Sequence, residues 1–383
     1  MINVAHYEVN LYVNGNLVGD CRRIAENLTY TRRRTKLGAD SIDFVVNDKL
    51  FDDWCRARNW TINDLLKPLA CECRLVRNGV DIVGGFLATM PSYSPLNASA
   101  RLSLHFDGFL NLLAGVYIRN TDTNLPLGTL TGPASSMVSS MISLANDISE
   151  EAGKGFNFTA NDIDDLETIT NTFDNYKTVK EFIVERCDNV SGAGQFDVYF
   201  YSDKYYDIKA DSNFGDIISD WVAEYPTMLN STSITSISAS EVGGFCSAVL
   251  GLGAGEVSSN ALENTAVFGF VSDSSKVAEY GYAESIYQES SISSQSILNN
   301  NISSKLNTES NPIWQPQITL HGKQVEPKPT GTNKIWLGDT ITIQNNADLT
   351  GMTNGKFRVN ELTVDVSASG DEAITPTLER VDE

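Results

Sequence analysis

Cys73-Arg74-Leu75-Val76-Arg77-Asn78-Gly79-Val80-Asp81-Ile82-Val83 reads as a β-hairpin. Asn-Gly is the pair that best tolerates the positive φ angles of a two-residue type I′ turn, and β-branched and apolar residues flank it on both sides. The chain opens in the same way. Tyr7-Glu8-Val9-Asn10-Leu11-Tyr12-Val13 carries an apolar or aromatic residue at every second position and runs into Asn14-Gly15. Ser41-Ile42-Asp43-Phe44-Val45-Val46 and Ala100-Arg101-Leu102-Ser103-Leu104-His105-Phe106 repeat the alternation. Such a period of two predicts strands with one buried and one solvated face. Residues 1–115 therefore read as a first β domain. Leu50 to Leu66 reads as a helix within it, with Thr61 and Asp64 spaced as an N-cap and its N3 partner.

After Gly115 the period lengthens. Met137, Met141, Leu144 and Ile148 form one stripe of a helix that begins after Thr131-Gly132-Pro133, and Thr178 with Glu181 makes a capping box for a second. Residues 116–192 thus read as an α/β insert. Strands return with Phe196 to Tyr201 and Tyr205 to Ile208 around Ser202-Asp203-Lys204, and with Ser233 to Ile237, Phe245 to Leu250 and Thr265 to Phe270. A second β domain is expected over 193–310, ending in a polar helix marked by Ile292, Leu298, Ile302 and Leu306. Residues 311–383 read as a C-terminal β domain containing Ile335 to Ile343, Lys356 to Val359 and Ile374 to Leu378.

At 383 residues, more than one domain is expected, and 41% hydrophobic with 20% charged residues is globular composition. Lys and Arg number 28 against 49 Asp and Glu, a formal charge of −21. Nucleic-acid affinity comes mainly from cations neutralising phosphates, so a general DNA-binding surface is excluded. The one short basic run, Arg32-Arg33-Arg34 with Lys36, reads as a solvated strand end or loop. No apolar run reaches the ~18 residues of a membrane span, and Met1 to Glu8 lacks the regions of a secretion signal, so a soluble protein made in the cytosol is expected. Six scattered cysteines, with Cys71 and Cys73 on one strand face, read as reduced, buried thiols.

No catalytic, cofactor-binding or metal-ligating residue is nominated, and no cofactor is expected. The three histidines, His6, His105 and His321, form no set with a neighbouring nucleophile. Gly251-Leu252-Gly253-Ala254-Gly255-Glu256 brings its third glycine one residue early for a dinucleotide fingerprint and reads as a turn or bulge. Gly84-Gly85 and Gly243-Gly244 suggest close backbone approach. Asp162, Asp164, Asp165 and Glu167 lack the central glycine of a calcium loop and read as a solvated acidic loop. Tyr199, Tyr201, Tyr205 and Tyr206 could stack on sugars, although alternating aromatics more often serve a core or a subunit contact.

Beyond the opening hairpin, three pieces stand out in order: Gly38-Ala39-Asp40-Ser41-Ile42-Asp43-Phe44-Val45-Val46-Asn47, Arg77-Asn78-Gly79 leading to Gly84-Gly85-Phe86-Leu87, and Gly251 to Glu256. The end adds Trp336-Leu337-Gly338-Asp339-Thr340-Ile341, Gly355-Lys356-Phe357-Arg358-Val359 and Ile374-Thr375-Pro376-Thr377-Leu378. In layout these segments resemble the hub family of tailed phages, which includes contractile-tail baseplate hubs and the N-terminal domain of siphophage tail-tip proteins. The resemblance implies an α+β, mainly β fold, with two tail-tube-like β-barrel domains, an inserted α/β domain and a C-terminal β region. It implies a non-enzymatic homotrimer at the tail tip or baseplate of a virion, adapting a six-fold tube to a three-fold tip and opening for DNA. The partners implied are a distal tail protein, the tape measure protein and other tail-tip or fibre proteins, with DNA passing through the lumen without specific binding. The chain stops at Glu383, shortly after the last strand candidate, so a lytic extension is not expected. The alternatives left open are a carbohydrate-binding, adhesin-like β protein and a glycan hydrolase with dispersed carboxylates.

Overall fold

The structure, a computed structural model, describes residues 5–96, 99–173, 175–188, 196–225, 232–242, 245–255, 266–290, 292–310, 313–347 and 353–381. The fold is mainly β with largely antiparallel pairing. Contacts divide it into two compact units, one from Met1–Ile237 with Gln317–Glu383 and one from Ser238–Pro316.

In the larger unit both Asn-Gly turns form as expected. Asn14 and Gly15 have φ of 50° and 78°, and Asn78 and Gly79 have 51° and 80°, the left-handed pair that a type I′ turn requires. They join Tyr7–Val13 to Asn16–Asp20 and Cys71–Arg77 to Val80–Leu87. Hydrogen bonding runs from Asn16–Asp20 through Tyr7–Val13, Cys71–Arg77, Val80–Leu87, Ser99–Gly108, Ser41–Asn47 and Ala25–Arg33 to the long strand Gly355–Val366. From there it continues through Thr340–Asn345, Ala223–Tyr225, Thr232–Val242 and Ile313–His321 to Glu372–Arg380. That last strand pairs back onto Gly355–Val366, so these six strands make a closed circuit. Strands near the two ends of the chain thus share one sheet, and their inward side chains, from Val9 and Phe44 to Leu362 and Leu378, share one core.

The expected helix from Leu50 to Leu66 is interrupted. Asp48–Arg56 is capped by Asn47, whose Oδ1 accepts from the amides of Lys49 (3.1 Å) and Leu50 (3.2 Å). The helix ends where Asn59 turns left-handed (φ 61°), and Trp60 N donates back to Cys55 O at 3.0 Å. The Thr61 cap then starts a separate short helix, Ile62–Leu65, with Asp64 N donating to Thr61 Oγ1 at 3.1 Å.

A second core gathers the helices Ala134–Glu151 and Val179–Asp188 around a small sheet. The capping box forms as read: Glu181 N donates to Thr178 Oγ1 (3.1 Å) and Thr178 N to Glu181 Oε2 (2.8 Å). The hairpin Phe196–Phe200 and Tyr205–Ala210, expected with the following β domain, packs in this core instead. Its inward residues Phe196, Val198, Phe200, Tyr206 and Ile208 meet the helices, with Thr159–Ile163 as a third, parallel strand. Gly84 leaves room for the turn of this hairpin, since a Cβ there would lie 2.6 Å from Ser202 Cα.

In the smaller unit, Ala248–Leu252 pairs antiparallel with Phe268–Ser272 and parallel with Glu284–Gln288. The expected polar helix is Gln295–Glu309, and Leu298, Ile302 and Leu306 bury its stripe against one face of this sheet. The glycines of the 251–256 run have a packing purpose: a Cβ at Gly251 would sit 2.5 Å from Ile302 Cγ2, and one at Gly253 would sit 2.5 Å from Ile292 O. Gly243-Gly244 and Glu256 lie outside the described residues. Gly251→Val is expected to force the helix outward and destabilise this unit by about 1–3 kcal/mol. Amide exchange should then accelerate in residues 248–252 and 295–309 while strands such as Ser41–Asn47 stay protected.

Candidate functional site

The outward face of the long sheet presents a continuous polar surface. Period-two alternation sends Tyr30, Phe44, Phe106 and Val364 into the core and turns their neighbours to the opposite face, where Thr31 and Ser41 are buried by their surroundings and Asp365, Ala373 and Thr375 are exposed. Register lines these neighbours into cross-strand rows. His105, Asp43, Thr29, Asp365 and Ala373 stand side by side, as do Ser41, Thr31, Thr363 and Thr375. The rows are stitched together: Thr29 Oγ1 donates to Asp365 Oδ1 at 2.6 Å, Thr31 and Thr363 hydroxyls meet at 3.2 Å, and Arg33 Nε donates to Glu361 Oε2 at 2.5 Å. Arg101 pairs with Glu26 at 3.1 Å. The charged groups of these rows include Glu26, Asp43, Asp107, Glu361, Asp365 and Glu379 against Arg33, Arg101 and His105, so acids outnumber bases among them. Such a surface is polar, ordered by its own hydrogen bonds, and among the described residues of these rows offers a polyanion no cationic patch.

His105 bridges two strands, with Nδ1 2.6 Å from Asp43 Oδ1 and Nε2 3.1 Å from Asp107 Oδ1. Partial burial works against the charged ring, but the hydrogen bonds and charges of Asp43 and then Asp107 outweigh it and raise the pKa. The stabilisation is therefore complete below the unfolded value of about 6.5 and is lost as pH rises through the raised folded value. In His105→Asn the melting temperature should lose this pH dependence, with a modest drop at acidic pH and little change above it, because the group is half exposed. Paired thermal melts across that range check it.

Directly behind the face lies the feature that the sequence reading misplaced. Arg32 and Arg34 are not solvated: they are 1% and 5% exposed. Alternation points Arg33 outward and its two neighbours inward, where the 196–210 hairpin covers them. Arg32 reaches Asp40 at 2.9 Å and lies over the Tyr199 ring, 4.3 Å from its centroid. Arg34 donates from Nε to Asp197 Oδ2 at 2.6 Å and pairs with Asp211. Burial opposes the Arg34 charge, but the two carboxylates prevail and raise its pKa. Asp197 Oδ1 also accepts from Thr35 N at 3.0 Å, and Thr35 Oγ1 donates to Val198 O at 2.6 Å. Arg358 joins from the far strand, pairing with Asp211 and donating to Phe214 O at 2.7 Å. The insert is thus held to the sheet by buried, multiply hydrogen-bonded ion pairs.

The motif Trp336-Leu337-Gly338-Asp339 serves the same junction. Asp339 Oδ2 accepts from Trp336 N (2.8 Å) and Oδ1 from Asp216 N (2.9 Å), and Gly338, at φ 79°, abuts Phe214, whose ring a Cβ would meet at 2.4 Å. A second buried ion pair links strands from opposite ends of the chain. Arg77 donates from Nε (2.6 Å) and Nη2 (2.9 Å) to the two oxygens of Glu372, and Tyr7 Oη donates to the same carboxylate.

The remaining candidates scatter. His6 is exposed, and His321 accepts from Lys323 N at 3.2 Å. Asp162, Asp165 and Glu167 are exposed, as expected of a solvated loop, with Asp162 pairing with Lys209; Asp164 is partly buried, pairing with Lys209 and accepting from Ala210 N at 2.9 Å. The four tyrosines form no common platform: Tyr206 is in the core, Tyr205 is exposed, Tyr199 lies under Arg32, and Tyr201 packs edge-on against Tyr199 and donates to Asp207 at 2.5 Å. All six cysteines are buried and unpaired, and burial holds their thiols protonated, pushing Cys55 up to about 11 and Cys71 to about 12. No helix among the described residues is long and apolar enough to cross a membrane.

No protein-family model matches the chain, and no curated protein matches it by sequence. Its fold is found among solved phage tail proteins. It is similar to the tail protein from Neisseria meningitidis MC58, with a TM-score of 0.59 and 13% identity over 97% of this chain and 96% of that one. Similarity to the 43 kDa tail protein of prophage MuSo2 from Shewanella oneidensis gives a TM-score of 0.60 and 11% identity over 98% of both chains. Prophage tail protein gp18 from Listeria monocytogenes EGD-e gives 0.52 and 9% over 98% and 95%.

Proposed function

From a fold shared along nearly its whole length with phage tail proteins, we propose that this chain is a structural, non-enzymatic hub subunit of a tail tip or baseplate. Three copies form a ring that closes the end of the tail tube, adapts six-fold to three-fold symmetry and opens for DNA. The tube-like domains are residues 1–115 and, in place of the 193–310 expected from the sequence, the closed circuit drawn from 223–242 and 313–380, with the α/β insert clamped beside them. Neighbours in the virion are a distal tail protein, the tape measure protein and other tail-tip or fibre proteins.

The observation that carries this reading is the polar sheet face. A wall for passing DNA needs to be hydrated, rigid and without net positive charge, so that a polyanion neither binds nor stalls. Rows of threonines and paired charges, backed by one apolar core and braced by buried ion pairs, meet those requirements. The test is the mass of the purified chain by sedimentation equilibrium, together with retardation of duplex DNA at physiological salt. Three copies and no retardation are expected. A stable assembly of another stoichiometry, or DNA capture at that salt, overturns the reading.

A further inference from the structure

Sheet and insert do not close completely over Arg32. Between the strand and the 196–210 hairpin lies a cavity of about 20 Å³, walled by Arg32, Thr35, Asp40, Gly108, Val198 and Phe200 among others. Arg32 is 1% exposed, so its N–H donors have to be satisfied inside the protein. They are poorly served. Nη2 reaches Phe200 O only at 3.4 Å, Nη1 stands 2.9 Å from Asp40 Oδ2 without the alignment of a hydrogen bond, and Nε finds no acceptor among the described residues. The Tyr199 and Trp336 rings, centred 4.3 Å and 5.7 Å from the guanidinium carbon, meet its charge but give its edge no acceptor. Asp40 is incompletely solvated as well. Burial pushes its carboxyl above the ordinary value, although Arg32 lies beside it and the Arg33 amide donates to Oδ1 at 2.7 Å.

We infer that one ordered water molecule, held in this cavity, completes the joint by accepting from Arg32 and donating to Asp40 Oδ2 and Phe200 O. A buried water needs about 10–15 Å³ and a few polar partners, and the cavity supplies both. The volume leaves no room for a multi-atom anion such as phosphate. A halide ion suits the site less well than water, because it can only accept, and it would stand against the Asp40 carboxylate. The arginine run therefore binds the insert in two ways. Arg34 does so by direct ion pairs to Asp197 and Asp211, and Arg32 does so through solvent. This joint lies within one chain, so the assignment holds whatever the chain assembles with.

The test is a crystal structure of the full chain at a resolution that shows ordered solvent, from crystals grown in chloride and again in bromide. Expected is a single water peak within hydrogen-bond distance of the Arg32 guanidinium and of Asp40 Oδ2, with no anomalous signal from bromide. An empty cavity overturns the assignment, as does a guanidinium that fills it and bonds Nε directly to a protein oxygen. Bromide in the cavity overturns it too, by making it an anion site. A second measurement works in solution. With isotope-labelled arginine, the Nε–H signal of Arg32, identified by its loss in Arg32→Lys, should show direct magnetisation transfer from a long-lived water. A resolved signal without that transfer overturns the assignment.

Discussion

Arg34→Met should destabilise the protein by about 3–5 kcal/mol, enough to leave many domains of this size largely unfolded at 37 °C. The cost does not come from losing an attraction alone. Asp197 is buried, and without Arg34 its charge keeps only the Thr35 amide as a donor. Burial already holds the Asp197 carboxyl above its ordinary value with Arg34 beside it, and a carboxylate stripped of that cation takes up a proton more readily still, so its folded pKa rises further. Between the folded value of the variant and that of the wild type, the variant takes up more protons on folding than the wild type does, so its deficit must narrow as pH falls through that window. A purely steric defect shows no such trend. Arg34→Met/Asp197→Leu, which removes both charges, should recover much of the loss. Urea unfolding of the single and double variants at two pH values reads all three effects.

Glu372→Ala is the second large effect, also about 3–5 kcal/mol. It strips the bidentate partner from Arg77 in the core and the acceptor from the Tyr7 hydroxyl. Glu326, 3.0 Å from Arg77 Nη1, remains and keeps the loss towards the lower end. Because the pair joins strands that are 295 residues apart in the chain, the damage should appear as faster amide exchange in Tyr7–Val13 and Glu372–Arg380 together. Glu372→Gln keeps an acceptor for Tyr7 and should cost less. Exchange measured by mass spectrometry on the three proteins distinguishes these outcomes.

The residues explain what was legible beforehand. Asn-Gly turns, the Thr178 capping box and the stripe of the 295–309 helix are local signals, and each formed where its chemistry required it. What could not be read was the choice of partner. Period two identifies Phe196–Phe200 as a strand but not the helices it packs on, and it marks Glu372–Arg380 without showing that it closes onto Gly355–Val366. The arginine run was legible in one respect that composition hides: on a strand, Arg32 and Arg34 must share a face opposite Arg33. With Ile42 and Phe44 buried on the adjoining strand, that face is the core; Arg32 finds its carboxylate nearby in Asp40, but those that neutralise Arg34, Asp197 and Asp211, lie more than 160 residues away. The polar face needed register, because Thr31 and Thr363 are unremarkable until pairing sets them side by side.

The most direct test of the whole account is electron cryomicroscopy of the assembled chain. Three copies should close around a channel, with the row Thr29, Asp365 and the row Thr31, Thr363, Thr375 turned towards its axis and the Arg34–Asp197 junction behind them. A ring with this sheet face turned outward, or an assembly with no channel, would contradict it.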